Sequence, residues 1–312
     1  MSAWIAAAGQ ALLIALLAPI VTGVTRAVRA RLEGRAGGRI AQPWRDIRKL
    51  LRKPPTSPEG AGVFFSAAPV VLMSTSLLIA ATVPFVSTAG IAGSADLIVV
   101  VGLLLLGTVA LALAGLDTGT AFGGMGSSRE MTIAALVEPT LLLAVFALST
   151  RVGTTNLGVI VAAGASDPAA VFTPASLLAF AALAIATLAE TARIPVDNPS
   201  THLELTMVHE AMILEYSGRD LALVEWASAM RLAILLGLLA NLFAPWGVAT
   251  GTTWTAVVIA AAVLTVKMCG LATLLAAAEV YAAKLRLFRV PELLAGSFAM
   301  ALLAVLTSYI LA

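Results

Sequence analysis

Eight long apolar segments constrain the fold of this chain more than any other feature of its sequence. They cover residues 3–25, 62–86, 96–117, 131–150, 173–192, 228–248, 254–278 and 292–311. A helix needs about 20 mostly apolar residues to cross the roughly 30 Å hydrocarbon core of a bilayer. Because lipid offers the backbone no hydrogen-bonding partner, such segments must be helical. The sequence therefore predicts an all-α, polytopic integral membrane helical bundle of about eight transmembrane helices, forming a single membrane domain over residues 1–312.

The composition agrees with this class of protein and excludes several others. Of the 312 residues, 60% are hydrophobic and 12% are charged, whereas a soluble domain carries about 25% charged residues. This balance excludes a cytosolic enzyme and a nucleic-acid binder. The chain has one cysteine, Cys269, and two histidines, so it cannot hold a cysteine-ligated zinc ion or an iron–sulfur cluster alone.

Basic residues choose between the two orientations that eight spans allow. With the N-terminus outside, the inner loops are 26–61, 118–130, 193–227 and 279–291. Those loops, with Arg231 at the edge of the sixth span, contain seventeen of the nineteen Lys and Arg residues. Short loops rich in Lys and Arg stay on the cytoplasmic side. The sequence therefore predicts that both termini face outward.

The first inner loop, 26–61, is strongly basic. Its segment 26–53 holds ten Lys or Arg residues against two acids, a net charge of +8. After Pro43, a helix would group apolar side chains on one face and leave most of the charged ones on the remaining surface. This pattern is typical of a short amphipathic helix at the lipid headgroups. It is either a topogenic anchor or a docking surface for a soluble partner, and the residues concerned are Arg45, Asp46, Arg48, Lys49 and Arg52.

The third inner loop, 193–227, is acidic in a chain with few charges. With the end of the fifth span, it contributes Glu190, Asp197, Glu204, Glu210, Glu215, Asp220 and Glu225. Thr201 and Glu204 fit a capping box, which predicts a helix from there to Gly218. Glu204 is therefore either a helix cap or part of a polar cavity. The two histidines lie outside zinc-binding spacing, so no metal site is predicted.

Two ionisable residues fall deep inside predicted spans. Glu138 lies about two turns into the fourth span, beside Pro139, and Lys267 lies about 20 Å into the seventh. Charges at such depth usually face protein or water and mark ion routes. We expect the two residues to form a buried pair or to belong to a proton relay. Arg193, between Glu190 and Asp197, is predicted to be ion-paired rather than solvated.

Several segments together carry a specific family resemblance. They are 42–50, 126–131 (GSSREM), 190–199 (ETARIPVDNP), 202–210 (HLELTMVHE), 214–218 (LEYSG) and 287–292 (LFRVPE). They resemble the membrane subunit, known as subunit 1 in respiratory complex I, that complex I shares with group 4 membrane-bound NiFe hydrogenases. Ala192, Val196 and Ser200 replace residues usual in the complex I version. The chain is therefore more similar to the hydrogenase branch, which includes formate hydrogenlyase subunit 4 and hydrogenase-4 component C.

The resemblance implies a non-catalytic membrane subunit of an oxidoreductase complex in the cell inner (cytoplasmic) membrane. It implies no cofactor in this chain: nickel–iron and iron–sulfur centres would lie in partner subunits, and the branch disfavours a quinone. The implied partners are soluble hydrogenase large and small subunits, an iron–sulfur subunit and antiporter-like membrane subunits. The residues expected to line a proton (or Na⁺) route are Glu138, Glu190, Arg193, Asp197, Glu204, Glu210 and Glu215, with Lys267 added from its depth.

Two other functions remain open from the sequence. One is the quinone-chamber subunit of a complex I-like NADH dehydrogenase, against which the departures at 192, 196 and 200 count. The other is a free-standing ion transporter. Transporters often show inverted repeats and paired broken helices at mid-membrane, and the sequence contains no repeat at a fixed period.

Overall fold

The structure, a computed structural model, describes residues 3–88, 95–197, 208–251, 253–282, 285 and 289–311. These residues form helices, turns and two isolated bridges, with no β-strand among them. The helices are α1 Ala3–Leu32, α2 Gln42–Leu51, α3 Val63–Thr82, α4 Leu97–Asp117, α5 Ala121–Ser149, α6 Leu157–Ser166, α7 Pro168–Val171, α8 Pro174–Glu190, α9 His209–Ile213, α10 Gly218–Phe243, α11 Trp254–Tyr281 and α12 Val290–Leu311. The all-α prediction is confirmed.

Seven helices of the described residues are long and apolar enough to cross a membrane: α1, α3, α4, α5, α10, α11 and α12. Each overlaps one of the predicted spans. The remaining predicted span, 173–192, is α8, which is equally apolar but has 17 residues. At 1.5 Å per residue α8 is about 26 Å long, slightly less than the hydrocarbon thickness. The chain is thus a polytopic helical membrane protein.

Three of the helices extend well beyond their predicted spans. α1 has 30 residues and is about 45 Å long. α5 begins at Ala121, ten residues before the predicted start of its span, because the Thr120 side chain caps it by accepting a hydrogen bond from the Gly123 amide at 3.2 Å. α10 likewise begins at Gly218, ten residues early. These extensions carry polar and charged residues that lie outside the predicted apolar spans and were therefore assigned to loops.

The predicted inner loops meet at one end of the bundle, called here the inner end. The Thr56 amide donates to the Ser217 hydroxyl at 2.8 Å, which joins the first and third inner loops. At the other end, the outer end, the Thr88 amide donates to the Ala249 carbonyl at 3.0 Å and the Leu157 amide to the Ala95 carbonyl at 2.9 Å. The loops therefore alternate between two ends as the spans require. The orientation of these ends in the membrane stays a prediction.

The segment before α10 is held against α3 and is not one long helix. The predicted helix running to Gly218 is wrong over its described part, because α9 ends at Ile213. Pro69, inside α3, has no amide hydrogen to give to the Phe65 carbonyl, and the Tyr216 hydroxyl donates to that carbonyl instead, at 2.7 Å. The Phe65 and Tyr216 rings also stack, with their centroids 4.2 Å apart. Residues 198–207, which include the predicted capping box, lie outside the described residues.

Small residues allow the helices at the inner end to approach closely. A Cβ atom added to Gly126 of α5 would lie 2.9 Å from the Val208 carbonyl oxygen and 3.0 Å from the Ala211 side chain. Glycine is therefore required where α9 packs on α5. On the outside of the bundle, α11 presents large exposed apolar side chains such as Val266 and Leu274, as expected of a helix that faces lipid or another membrane protein.

Candidate functional site

A polar cavity of about 220 Å³ opens at the inner end and reaches toward the middle of the bundle. It is enclosed by α1, α3, α4, α5, α8, α9, α10 and α11 and by the segment 191–197. The ionisable residues that line it are Arg26, Arg29, Glu130, Glu190, Arg193, Asp197, His209, Glu210, Glu225, Arg231 and Glu279. They come from seven separate segments of the chain, so only the tertiary structure brings them together.

Arg193 is ion-paired, as predicted, but with a residue far away in the sequence. Its Nη1 lies 2.7 Å from Glu279 Oε1 of α11, and Arg29 Nη1 of α1 lies 3.6 Å from the other oxygen of that carboxylate. Glu279 is only 4% exposed. Glu190 and Asp197, the nearby acids expected to pair with Arg193, are not its partners. Burying an isolated carboxylate is unfavourable, and here two arginines from different elements neutralise the charge of Glu279.

The end of α8 explains why Arg193 points away from its neighbours in the sequence. Ala192 has a positive φ of 48°, and its amide donates to the Ala189 carbonyl, while the Arg193 amide donates to the Leu188 carbonyl at 2.9 Å. This pattern is a Schellman motif, with alanine in the left-handed position that glycine usually occupies. The chain therefore turns sharply at residue 192 and directs Arg193 across the cavity to α11.

Arg231 of α10 makes the second ion pair of the cavity. Its Nη2 donates to Glu190, to the Thr108 hydroxyl and to the Leu104 carbonyl of α4. Glu190 is 8% exposed, so this pair joins α4, α8 and α10 in a nearly dry environment. Sequence reasoning counted Arg231 only as a topogenic charge. Its position one turn inside an apolar segment was the signal that it was buried.

Asp197 holds the start of α9. One of its carboxylate oxygens accepts from the Val208 amide at 3.2 Å and from the His209 amide at 3.4 Å. Amide groups at the start of a helix lack intrahelical acceptors, so this carboxylate satisfies two of them. The His209 ring lies 3.4 Å from the Ser228 hydroxyl of α10, with the proton position set by the tautomer. Asp197 therefore both lines the cavity and fixes the element beside it.

Glu210 of α9 is a half-buried carboxyl group surrounded by several charged side chains. Burial raises its pKa above the ordinary value of 4.5. His209 and Arg26 act in the opposite direction, whereas the negative charges of Glu225 and Asp197 raise the pKa further. The net effect favours the protonated form of Glu210.

Glu138 lies behind the cavity, deeper along α5. It is eight residues past Glu130, which corresponds to about 12 Å along the helix axis, and it is 6% exposed. Neither of its carboxylate oxygens has a hydrogen-bonding partner among the described residues. The charged groups that act on it are Glu190, Arg231 and Glu130. Its predicted depth inside a span is confirmed.

Lys267 does not belong to this cluster. Its ammonium group donates to the carbonyl of Ala244, the residue that ends α10 at the outer end. The expectation of a buried pair with Glu138 is therefore wrong. Helical depth predicted that Lys267 is half-buried inside a span, but depth does not determine which way a side chain points. A cation at a helix C-terminus is a stabilising arrangement, and this arrangement accounts for Lys267.

The structure places only some of the predicted route residues at the cavity. Glu190, Arg193, Asp197 and Glu210 line the cavity, and Glu138 lies behind it. Glu215 and Lys267 are not among the described lining residues, and Glu204 lies outside the described part of the chain. Glu225 belongs to the acidic segment singled out in the sequence but was not predicted as a route residue, and Glu130 and Glu279 were not predicted as site residues at all. Glu130 belongs to the GSSREM segment of the family resemblance, which was the available signal for it.

Helix α2 carries the predicted basic surface. Its Pro43 and Ile47 are buried against the bundle, and its outward side presents an exposed set of cations, called here the basic ledge, made of Arg45, Arg48, Lys49 and Arg52. Asp46 accepts a hydrogen bond from the Gln42 side chain at 2.9 Å and so stabilises the first turns of the helix. The amphipathic helix predicted after Pro43 is confirmed.

The described residues contain no group of three or more His, Cys, Asp and Glu side chains placed to hold a metal ion. The carboxylates, arginines and histidine that line the cavity are acid–base and electrostatic groups. Its carboxylates and arginines can hold, release and exchange protons or small cations.

Membrane-length helices that enclose an ion-paired polar cavity at one end define a polytopic membrane protein. The sequence comparisons identify the family: the profile of the NADH dehydrogenase family matches residues 5–310, and the chain belongs to that family. It is 37% identical to hydrogenase-4 component C of Escherichia coli (strain K12) over 245 residues, which cover 77% of this chain and 75% of that protein.

Two further comparisons agree with this assignment. The chain is 32% identical over 296 residues to formate hydrogenlyase subunit 4 of Escherichia coli (strain K12), covering 95% of each protein. Its fold is similar to a chain of the membrane-bound sulfane sulfur reductase, an archaeal respiratory membrane complex, with a TM-score of 0.85, 20% identity and coverage of 98% and 99%. The resemblance to the hydrogenase branch of the complex I subunit family is confirmed.

Proposed function

We propose that this chain is the integral membrane subunit of a group 4 NiFe hydrogenase or formate hydrogenlyase-type complex. It forms one membrane domain in the cell inner membrane, with both termini outward. It anchors a soluble redox arm and couples electron transfer in that arm to proton (or Na⁺) movement. The similarity to hydrogenase-4 component C and formate hydrogenlyase subunit 4 supports this choice of complex. The subunit itself performs no redox step.

The excess of carboxylates in the cavity carries the proposal. Six carboxylates face four arginines, and Glu279 and Glu190 together engage three of those arginines. Glu130, Glu210 and Glu225 form no salt bridge to another described residue. Burial raises the pKa of the Glu210 carboxyl group, which favours its protonated form. The cavity is therefore suited to hold protons near a membrane-embedded carboxylate, Glu138.

The geometry suggests how a displacement at the inner end would move a proton. Arg231 is ion-paired with Glu190 while it bridges α4, α8 and α10. A shift of α10 or of the segment 191–197 that separates this pair would allow Glu190 to accept a proton from the cavity. Glu138 lies within electrostatic reach of Glu190 and is the next acceptor toward the middle of the membrane.

Anchoring in this proposal uses the basic ledge and the outer surface of the bundle. The ledge presents four exposed cations at the inner end, which suits an acidic surface on a soluble subunit or the phosphates of lipid headgroups. The partners on that side would be the hydrogenase large and small subunits and an iron–sulfur subunit. The exposed apolar faces of α11 and α12 would contact lipid and antiporter-like membrane subunits.

A quinone is not used in this proposal. The cavity bounded by the described residues measures about 220 Å³, below the 300–1,000 Å³ that is usual for a pocket that binds an organic ligand. A cavity of this size is small for a quinone, and no step of the proposal uses one.

Glu138→Gln is the variant that tests the proposal. In the purified complex reconstituted into vesicles, we expect Glu138→Gln to assemble and to transfer electrons to an artificial acceptor at the wild-type rate. Ion movement into the vesicles should fall to the background of protein-free vesicles, because the amide cannot exchange a proton. Wild-type ion movement in Glu138→Gln would refute the role of this residue.

Two control variants make the result specific. Glu59→Gln changes the same chemistry at an exposed position and should leave ion movement unaltered. Lys267→Met removes the other intramembrane charge, but because Lys267 caps α10, it should lower thermal stability while the assembled complex still transports ions. If Lys267→Met abolished transport in a stable complex, the separation of the two residues argued above would be wrong.

A further inference from the structure

Helix α1 contains a proline at the level where α2 and α10 contact it. Pro19 lies inside the helix, so the carbonyl four residues earlier, that of Ala15, receives no backbone hydrogen bond. Ala15 is buried, and an unsatisfied carbonyl in an apolar environment costs several kcal/mol. Proline also displaces the preceding turn and is a common cause of a sharp helix kink.

Two tryptophans supply donors at this turn. Trp226 Nε1 of α10 donates to the Ala15 carbonyl at 2.9 Å, and Trp44 Nε1 of α2 donates to the adjacent Leu16 carbonyl at 3.1 Å. The two indole rings also contact each other edge-on, with centroids 5.3 Å apart and an interplanar angle of 70°. Three elements are thus joined where α1 has lost its own hydrogen bond.

The segment that leads into α2 fixes the next turn of α1. The backbone of Ile40 lies directly against Gly23, and a Cβ atom at position 23 would overlap the Ile40 carbonyl oxygen. The path of α1 beyond Pro19 therefore depends on α2 and on the residues before it.

That part of α1 carries two of the four arginines of the cavity. Arg26 and Arg29 both line it, and Arg29 lies 3.6 Å from Glu279. They follow Pro19 by seven and ten residues, so they lie about 10 and 15 Å beyond it along the helix axis. On α10, Glu225 lines the cavity while the next residue, Trp226, reaches α1. The same turn of α10 thus contacts both the cavity and α1 near Pro19.

We propose that Trp44 and Trp226 are positioning residues that hold the inner segment of α1 at the angle that places Arg26 and Arg29 in the cavity. The Trp226 ring nitrogen acts through the Ala15 carbonyl that Pro19 leaves free, and the Trp44 ring nitrogen acts through the adjacent Leu16 carbonyl. Trp44 also makes this angle depend on helix α2, whose other side is the basic ledge. The proposal rests on the proposed function only in treating the cavity as the ion route.

The test measures the angle of α1 directly. Spin labels are attached at Arg31→Cys, on the inner end of α1, and at Arg219→Cys, on the inner end of α10, in a Cys269→Ser background of the full-length chain before it is combined with any partner. Arg31 lies twelve residues past Pro19, which gives a lever of about 18 Å, so a change of about 10° in the kink moves the label by about 3 Å. Pulsed electron–electron double resonance, which measures the distance between the two labels, resolves such a shift.

We expect Trp226→Phe, which keeps an aromatic ring and removes the donor, to shift or broaden the distance distribution by about this 3 Å. Trp44→Phe should act in the same direction and serves as the second variant if Trp226→Phe does not assemble. Trp254→Phe, at an exposed tryptophan at the start of α11, is the matched control and should leave the distribution unchanged.

Pro19→Ala separates this explanation from simple loss of packing. It restores the backbone amide that bonds the Ala15 carbonyl, so adding Trp226→Phe to Pro19→Ala should produce no further shift. An unchanged distribution in both Trp226→Phe and Trp44→Phe would overturn the proposal. So would a Trp226→Phe shift that persists in full beside Pro19→Ala. These distances are independent of transport, so a failure of the Glu138→Gln test would be recognised separately.

Discussion

Removal of Arg231 should destabilise the bundle more than removal of any exposed arginine. Its guanidinium bonds Glu190 and two groups of α4, and only 15% of its side chain and 2% of that of Glu190 are exposed. We expect Arg231→Met to leave Glu190 buried without a cation. Arg219→Met, an exposed arginine on the same helix, is the matched control.

The magnitude follows from the burial of the pair. Loss of one partner of a buried ion pair costs about 3–5 kcal/mol, and the loss of a donor to the Thr108 hydroxyl and the Leu104 carbonyl contributes roughly 1 kcal/mol each, part of it within that figure. At roughly 2 °C per kcal/mol for a chain of this size, the thermal midpoint should fall by about 6–10 °C. The double variant Arg231→Met with Glu190→Gln removes the unpaired charge and should recover a few degrees.

Thermal unfolding of the detergent-solubilised complex, followed by tryptophan fluorescence, measures these midpoints. The double-variant comparison isolates the coupling between the two charges, because each single change leaves one of them unpaired. If Arg231→Met melts within one degree of Arg219→Met, Glu190 is not held in the way described. Equal losses in the single and double variants would show that packing, and not charge, dominates.

Three further predictions concern the same end of the bundle. Arg193→Ala should cost about 3 kcal/mol, the lower end of the range for a broken buried pair, because Glu279 retains Arg29; a wild-type melting midpoint and wild-type assembly would contradict this. Since burial raises the pKa of Glu210, the folded state binds its proton more tightly than the unfolded state, so the stability that it contributes should fall as pH rises from 4.5 through the raised pKa. Glu210→Gln should flatten this part of the measured stability–pH profile, and an unchanged slope would assign it to other groups. Reversal of the three arginine charges of the basic ledge should release the soluble arm on a sizing column or disturb insertion, whereas reversal of Arg151 at the outer end should do neither; intact assembly and topology in the ledge variant would exclude docking there.

Much of the fold was predictable because its determinants are local. An apolar run of about 20 residues must be a helix in lipid, and seven of the eight predicted spans are present as helices of membrane length. The amphipathic helix after Pro43 was equally readable, because its apolar face repeats with the helical period. The errors at the starts of α5 and α10 arose where polar residues continue a helix beyond the hydrocarbon, since hydropathy marks the membrane and not the end of a helix.

The charged residues show where sequence reasoning stops. The sequence indicated that Arg193 must be paired, because burying an isolated charge is expensive, and it is paired. Its partner, Glu279, lies 86 residues away, and no local pattern connects the two. Lys267 shows the same limit: its depth was predictable, but its bond to the Ala244 carbonyl depends on where α10 ends in space.

The sequence by itself thus determined the class of protein, the number and order of its apolar segments, and the family to which it belongs. Those properties follow from transfer free energies and motifs that each short segment carries alone. The tertiary structure decided which charges neutralise one another, which carboxylates share a cavity, and which side chains replace the hydrogen bonds that Pro19 and Pro69 remove. These depend on distances between helices that are far apart in the chain, and the packing of the whole bundle sets those distances.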